Sequence, residues 1–343
     1  MARKALGLDI DALGIRAAEV VRKGRSSRLV SNLAMQALPA GTIVDGKVAN
    51  QQELVRGLKA LLEHADFSAD SVVLGLRSSW VMVKTHRLPA MNRRELDKAL
   101  EFELPELAYF PVDDLKDVCY DYFVNYQTET EVEVVVAAFP REYLSPYIEA
   151  IRTAGLVLEI VDLPAFSWPE LLAGEKRRAF VEVSEGQTTI EVLSDNVFKV
   201  LRVIPLGIAH FRQGLQEAFG CSAEEARELY AQHDVDHLLM EGSGDKRVLR
   251  AVVQQFIGSV LQTLDFVRAQ ERASNFRAML DEIILVGDLA DMPGLSSMLG
   301  KEVNLPTYSL GQMDLLLGFD ADRPKRLSSY GSALALGVRG ISA

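Results

Sequence analysis

The sequence predicts an α/β protein of two related lobes with an inserted strand-helix-strand-strand subdomain, and three features of the 343-residue chain indicate this fold. A unit of three short strands joined by tight turns occurs twice. Amphipathic helices with capping residues fill much of the remaining sequence. A compact block of strands and helices separates the two units. We expect a first lobe of residues 1–80 and 157–176, an inserted subdomain of 81–156, a second lobe of 177–329 and a C-terminal connecting helix of 330–343.

Each copy of the repeated unit carries one carboxylate on its first strand, next to a turn. Asp9 is this residue in the first copy and Glu182 in the second. Short apolar runs separated by Gly- and Asp-containing turns are typical of hairpins, so the repetition predicts two lobes of one topology. The predicted strands are 5–10, 15–21 and 28–38, then 180–183, 189–193 and 198–204. The turns between them lie at 11–14, 23–25, 184–186 and 195–196.

Three predicted helices begin with a capping box, in which Asn or Ser precedes a glutamate by three residues. The N-cap residues are Asn50, Asn92 and Ser222. In such a box each side chain accepts a hydrogen bond from the other residue's backbone N–H. The helix after Asn92 is expected to end or kink at Leu104, because Pro105 lacks a backbone N–H and crowds the preceding turn.

The composition indicates a globular protein with an acidic surface. Hydrophobic residues make up 48% of the chain and charged residues 25%, which excludes disordered and disulfide-framework classes. Asp and Glu total 48 against 37 Lys and Arg, and the resulting formal charge of −11 repels phosphate backbones and anionic lipids. Binding to nucleic acid is therefore not expected.

The N-terminal sequence and the two cysteines indicate a cytoplasmic protein. The first residues lack the apolar stretch of a signal peptide, and no window approaches the ~20 apolar residues of a membrane span. Cys119 and Cys221 lie outside any metal or redox motif, as expected in a reducing compartment. His233 and His237 have the spacing of a helical metal site, but the neighbouring aspartates are equally typical of a solvated loop. We expect no metal site formed by protein side chains alone.

Three junctions between a strand and a turn carry acidic residues that suit a magnesium-bound triphosphate. Magnesium takes oxygen ligands, and phosphates accept hydrogen bonds from the backbone N–H groups of small-residue turns. Asp9 and Glu182 each adjoin such a turn, and Asp288 follows a third strand. Turns of this kind are also common in proteins that bind no nucleotide, so they leave the ligand open.

Five short motifs occur in a fixed order along the chain. They are Gly-Leu-Asp-Ile at 7–10, Leu-Pro-Ala-Gly-Thr-Ile-Val-Asp-Gly at 38–46, Leu-Pro-Ala-Met at 88–91, Ile-Pro-Leu-Gly at 204–207 and Pro-Gly-Leu at 293–295. Together they resemble the PilM family of type IV pilus assembly proteins, which is similar to the division protein FtsA of the actin-like superfamily. The resemblance implies a two-lobed actin-like fold with duplicated ribonuclease H-like lobes. It also implies ATP with magnesium in the interlobe cleft and a cytoplasmic ring or scaffold role.

The nucleotide loops of this chain depart from the pattern of that family. Asp11 and Ser184 stand where the family has loop glycines, and Tyr230 stands where a lysine is expected. Two aspartates in the first loop repel a triphosphate unless magnesium bridges it. We therefore expect weak or absent binding of Mg-ATP and weak or absent hydrolysis. The candidate cleft residues are Asp9, Asp11, Leu13, Gly14, Arg16, Glu182, Ser184, Gln187, Thr188, Gly207, Glu228, Gly287 and Asp288.

The resemblance also implies that the chain grips the cytoplasmic tail of a PilN-like bitopic membrane protein, next to the inserted subdomain. Apolar residues in and around the helix after Asn92 are candidates for a groove that accepts an extended peptide. Residues of this type are also common in a protein core. The candidates are Leu88, Leu96, Leu100, Phe102 and Phe110.

The expected function is that of a scaffold in a type IV pilus assembly machine, peripheral to the inner membrane through its partners. These partners are a PilN-like tail and the pilus motor ATPases or platform protein, with self-association as a further interaction. Two alternatives stay open. One is a cytoplasmic GspL-like component of a type II secretion platform, and the other is an actin-like ATPase that polymerises.

Overall fold

The computed structural model of the chain describes residues 3–24, 27–77, 80–195, 197–242 and 244–342. Its strands are β1 (Arg3–Ile10), β2 (Gly14–Lys23), β3 (Ser27–Ala37), β4 (Ile43–Val44), β5 (Lys47–Val48), β6 (Ser71–Gly75), β7 (Met82–Pro89), β8 (Val118–Gln127), β9 (Glu131–Pro140), β10 (Val157–Asp162), β11 (Arg178–Val183), β12 (Thr188–Ser194), β13 (Val197–Ile204), β14 (Glu282–Val286), β15 (Thr307–Ser309) and β16 (Gly318–Phe319). Its α-helices are α1 (Gln51–His64), α2 (Arg93–Leu107), α3 (Arg141–Thr153), α4 (Pro164–Ser167), α5 (Ile208–Phe219), α6 (Ala223–Gln232), α7 (Val235–Met240), α8 (Arg247–Gln270), α9 (Leu295–Val303) and α10 (Gly331–Ser342).

Two of the sheets repeat one topology. The first has the strand order β10-β6-β1-β2-β3-β16 and the second has the order β13-β12-β11-β14-β15. In each sheet three consecutive strands form an antiparallel meander, and a later strand pairs in parallel with the first strand of that meander. The duplication predicted from the sequence is therefore present in the fold. The turns predicted at 23–25 and 195–196 each include a residue outside the described ranges.

The third sheet is antiparallel, in the order β7-β9-β8, and α2 covers one of its faces. The core between them contains Met82, Leu100 and Val134. By contrast, α3 packs against α1 and shares its core with the first sheet. The division of the chain into four parts, whose end residues 1, 2 and 343 lie outside the described ranges, stays a prediction.

The helix ends agree with the capping pattern at two of three sites. Reciprocal capping boxes are formed at Asn92 and Ser222, whereas Asn50 only accepts a hydrogen bond from the N–H of Glu53. Of the two outcomes predicted at Leu104, the end of the helix was wrong, and the kink stays a prediction. Pro105 lies in the last turn, where it removes a single hydrogen bond, and the helix continues until the N–H of Ala108 donates to the Leu104 carbonyl.

A shared core holds the two large sheets together. It joins Val20 of the first sheet, Phe180 and Ile284 of the second, and Leu334 of α10. The helix α10 lies very close to β1, because a Cβ on Gly7 would come within 2.0 Å of a carbonyl oxygen of α10. This packing brings the carboxyl ends of β1 and β11 to the same cleft. Among the described residues, no helix is both long and apolar enough to cross a membrane.

Candidate functional site

The interlobe cleft brings together acidic residues from both sheets. Asp9 lies near the carboxyl end of β1, and Glu182 lies at the equivalent position of β11. Both carboxylates are buried. Burial of a carboxylate is costly unless a cation or hydrogen-bond donor compensates its charge. The cleft must therefore contain partners for these acids.

Arg77 provides that compensation for both acids. It follows β6, and its guanidinium donates to Asp9, with Nη2 2.9 Å from Oδ2, and to both carboxyl oxygens of Glu182. The Ser332 hydroxyl of α10 also donates to Glu182, at 2.6 Å. Burial penalises the charge of Arg77, but Asp9 and Glu182 outweigh this and keep its pKa well above the usual value. One arginine of the first lobe thus joins the two lobes.

Arg16 forms a second bridge across the cleft. Its Nη1 lies 3.0 Å from Oδ2 of Asp11 in its own lobe, and its Nη2 donates to Asp288 of the other lobe. Burial raises the pKa of Asp288, and the neighbouring Arg16 opposes this rise. Four acids, of which Asp288 is half-buried and the other three are buried, therefore share two guanidinium groups, and the cleft keeps a negative formal charge.

The duplicated topology explains how the bridges cross between the lobes. In the parallel pairings, Asp9 lies opposite Gly75 and Glu182 lies opposite Val286. Arg77 and Asp288 each come two residues after these partners, so they occupy equivalent positions in the two lobes. Equivalent positions carry opposite charges, and each side chain pairs with a residue of the other lobe.

The turns of the cleft use their own backbone donors. The carboxylate of Asp11 accepts hydrogen bonds from the N–H groups of Leu13, at 2.8 Å, and Gly14, at 3.1 Å. The N–H of Ser184 donates to the carbonyl of Gln187 at 2.9 Å. These N–H groups are the donors that a phosphate needs in a small-residue turn. In this arrangement they are already paired.

The other predicted cleft residues have varied surroundings. Ser184 and Gln187 line a cavity of about 720 Å³ together with Asp11 and Arg77. Thr188 is buried and donates to the Leu206 carbonyl at 2.6 Å, as part of the packing of its turn. Gly207 and Gly287 allow close backbone contacts, because a Cβ on either would meet a carbonyl oxygen within 2.7 Å. Glu228 is exposed on α6 and takes no part in the two bridges.

Arg77 was not predicted from the sequence. The repeated unit contained a usable signal, since the same reasoning that selected Asp288 after β14 applies to the residue at the equivalent place after β6. In each copy, however, the predicted repeat ends with its third strand, before the strand that Arg77 follows. The cation that compensates Asp9 and Glu182 was therefore missed.

Four of the five residues predicted to line a partner groove lie in the core of the inserted block. Leu88, Leu96, Leu100 and Phe110 are buried in the core between α2 and the three-stranded sheet, so they offer no surface to a peptide in this structure. Phe102 lies on the opposite side of α2 and is 84% exposed. Of the predicted groove residues, Phe102 is the one that offers a surface to a partner, and its role in binding stays a prediction.

A separate groove of about 570 Å³ lies between the three-stranded sheet and the two lobes. Its sides include β8 and β10, each of which is the edge strand of its sheet. Phe123, Phe166 and Phe198 meet in it edge to face, with ring centroids 5.4 to 6.4 Å apart. Unpaired strand edges beside apolar side chains are the usual receptor for an extended peptide. We name this feature the β8–β10 groove.

No metal centre emerges in the described ranges, where no three His, Cys, Asp or Glu side chains group as ligands would. His233 and His237 stack on each other with ring centroids 5.5 Å apart.

The duplicated sheets and the cleft between them define an actin-like fold. The fold is similar to that of MreB5 of Spiroplasma citri bound to ADP, with a TM-score of 0.53, 12% identity, and coverage of 98% of this chain and 95% of that one. It is also similar to the ethanolamine utilization protein EutJ from Carboxydothermus hydrogenoformans, with a TM-score of 0.57, 12% identity, and coverage of 98% and 89%.

The amino-acid sequence assigns the chain to one family within this fold. The sequence model of the type IV pilus assembly protein PilM matches residues 7–338, and the chain belongs to this family. A solved structure described as the PilM-PilN type IV pilus biogenesis complex contains a similar chain, with a TM-score of 0.81, 22% identity, and coverage of 98% of both chains. The resemblance identified from the five motifs is thereby confirmed.

Proposed function

We propose that this protein is a scaffold on the cytoplasmic face of the inner membrane, where it binds the cytoplasmic tail of a PilN-like protein during type IV pilus assembly. Membership of the PilM family supports a role in pilus assembly. The observation that carries tail binding is the β8–β10 groove, whose two strand edges and aromatic side chains suit an extended peptide.

We further infer that Mg-ATP binds weakly or not at all in the cleft and is not hydrolysed. Arg77 occupies both Asp9 and Glu182, the carboxylates expected to serve magnesium. The N–H groups of Leu13 and Gly14 are bound by Asp11. A nucleotide would have to displace these contacts in an acidic cleft, whereas the arginine bridges join the lobes without one. A fixed closure of this kind suits a scaffold better than a nucleotide-driven motor.

The test of the pilus role is affinity purification of the tagged protein from its native cells after mild crosslinking, followed by mass spectrometry. We expect a single-span PilN-like protein and pilus motor ATPases. Recovery of type II secretion platform proteins instead would assign the protein to the GspL-like alternative. Recovery of the protein alone, in a nucleotide-dependent assembly, would support the polymerising ATPase.

The site of tail binding is tested by two phenylalanine variants and a synthetic peptide of the PilN-like tail. Phe123→Ala removes a half-exposed ring of the β8–β10 groove, and we expect about a tenfold weaker affinity by calorimetry. Phe102→Ala removes the exposed ring of α2 and should leave the affinity unchanged. The reverse result would return the site to the surface of α2.

A further inference from the structure

The β8–β10 groove contains a buried acid that the rest of the protein leaves unpaired. Ile190 and Val192 of β12 face the core of the second lobe, whereas Glu191 and Leu193 line the groove. Glu191 is 1% exposed, and neither of its carboxyl oxygens has a hydrogen-bond partner among the described residues. A buried polar group without a partner reduces stability. Its position in the wall of a groove indicates that a ligand supplies the missing partner.

The neighbouring acid in the groove is compensated. Asp162 accepts hydrogen bonds from the N–H of Leu163 at 2.8 Å, the hydroxyl of Ser167 at 3.3 Å and Nε of Arg339 at 3.2 Å. In the described part of the chain, Arg339 is the basic side chain that lines the groove, and Asp162 already engages it. Asp121 and Glu170 also line the groove, so its acidic side chains outnumber this base and the groove is complementary to a cation.

We propose that Glu191 receives the cationic end of a lysine or arginine side chain from the peptide in this groove. The inference rests on the proposed function, in which that peptide is the tail of the PilN-like protein. Phe123, Leu193 and Phe198 give the groove apolar walls that suit the aliphatic stem of such a side chain. An ammonium or guanidinium group then forms charge-assisted hydrogen bonds to the carboxylate. Hydrogen bonds from the strand edges to a peptide backbone do not depend on the peptide sequence. The pairing with Glu191 therefore selects peptides that carry a basic side chain at the matching position.

The ionisation of Glu191 agrees with this role. Burial and the nearby charge of Asp162 raise the pKa of Glu191 well above its usual value. A cation beside the carboxylate favours its ionised form and lowers that pKa. Binding of the peptide should therefore release a proton. The other charged side chains that line the groove are Asp121, Asp162, Glu170 and Arg339.

The experiment is isothermal titration of a synthetic peptide of the PilN-like tail into the full-length protein. Glu191→Gln keeps the shape of the side chain and should weaken binding at least about tenfold. Glu159→Gln is the matched control, because it removes one exposed carboxylate from β10, and should stay within about twofold of the wild type. Thermal melts of each variant establish that it is folded.

A double-mutant cycle identifies the cation. Each lysine or arginine of the peptide is replaced in turn by glutamine, and one replacement should reproduce the loss seen with Glu191→Gln. That peptide should then bind wild type and Glu191→Gln with equal affinity. If only N-terminal acetylation of the peptide reproduces the loss, the cation is the terminal ammonium and the assignment to a side chain is overturned.

The two proposals fail in distinguishable ways. If the wild-type protein binds the tail and Glu191→Gln binds it equally well, the role of Glu191 is overturned while the proposed function stands. If the wild-type protein binds no tail peptide, tail binding is contradicted and the role of Glu191 falls with it.

Discussion

The interlobe cleft and the β8–β10 groove both contain buried acids, but the cleft pairs all of its acids with arginine, whereas the groove leaves Glu191 without a partner among the described residues. Asp9 and Glu182 share the guanidinium of Arg77, and the bonds extend from one lobe to the other. Glu191 in the groove has no partner in the described part of the chain. The same residue type therefore serves closure in one region and is available for recognition in the other. What distinguishes the two is whether the fold supplies the opposite charge.

The largest effect is expected at Arg77. Arg77→Ala leaves Asp9 and Glu182 buried without their cation, and we predict a loss of about 3–5 kcal/mol in the free energy of unfolding. Urea denaturation at pH 7 measures it. Arg56→Ala is the control, because Arg56 is 73% exposed in its ion pair with Glu53 and should cost at most about 1 kcal/mol. Equal losses in the two variants would break the contrast between the cleft and an ordinary surface ion pair.

The second prediction concerns Glu191 and pH. Because its pKa in the folded protein lies above the ordinary value of 4.5, folding favours the protonated acid. The free energy of unfolding therefore falls as pH rises above 4.5, and the destabilisation is absent at lower pH. Glu191→Gln removes this effect and should stabilise the protein by about 1–3 kcal/mol at pH 7, with no gain near pH 4. Urea denaturation across this pH range provides the measurement, and a gain that does not depend on pH would contradict it.

A third, smaller effect is expected from Asp11. Asp11→Gly frees the N–H groups of Leu13 and Gly14 and removes one acidic charge, so the affinity for Mg-ATP should rise about tenfold in calorimetry. Asp11→Asn removes the charge but keeps an oxygen that accepts from both N–H groups, and its gain should be smaller. Equal gains would show that charge alone, and not the occupied donors, disfavours the nucleotide.

The smallest effect is expected at Phe102, which lies outside both regions. Its ring is 84% exposed, so Phe102→Ala should change the free energy of unfolding by less than about 0.5 kcal/mol. Leu100→Ala, two residues earlier on the core face of α2, should cost about 2–5 kcal/mol because Leu100 is fully buried. Thermal or urea denaturation of the pair tests this, and a large loss at Phe102 would place it in an interface that the single chain does not show.

Local sequence patterns were enough to predict the repeated topology of the two lobes, the capping boxes at Asn92 and Ser222, and the family. These features depend on residues close together in the chain, where strand alternation, turn residues and capping side chains act locally. Asp9, Asp11, Arg16, Glu182 and Asp288 were also selected in this way, and the tertiary structure brings all five into one cleft.

The pairing of the charged side chains, by contrast, depends on the tertiary structure. Arg77 lies 105 residues from Glu182 in sequence, and their contact requires two sheets to pack around α10. Glu191 is one polar residue in an alternating strand, a pattern that usually indicates a solvent-exposed side chain, but the packing of the lobes leaves it 1% exposed in the wall of the groove. Whether a carboxylate is compensated depends on the three-dimensional arrangement of charges and burial, because electrostatic energy follows distance and dielectric surroundings and not separation along the chain.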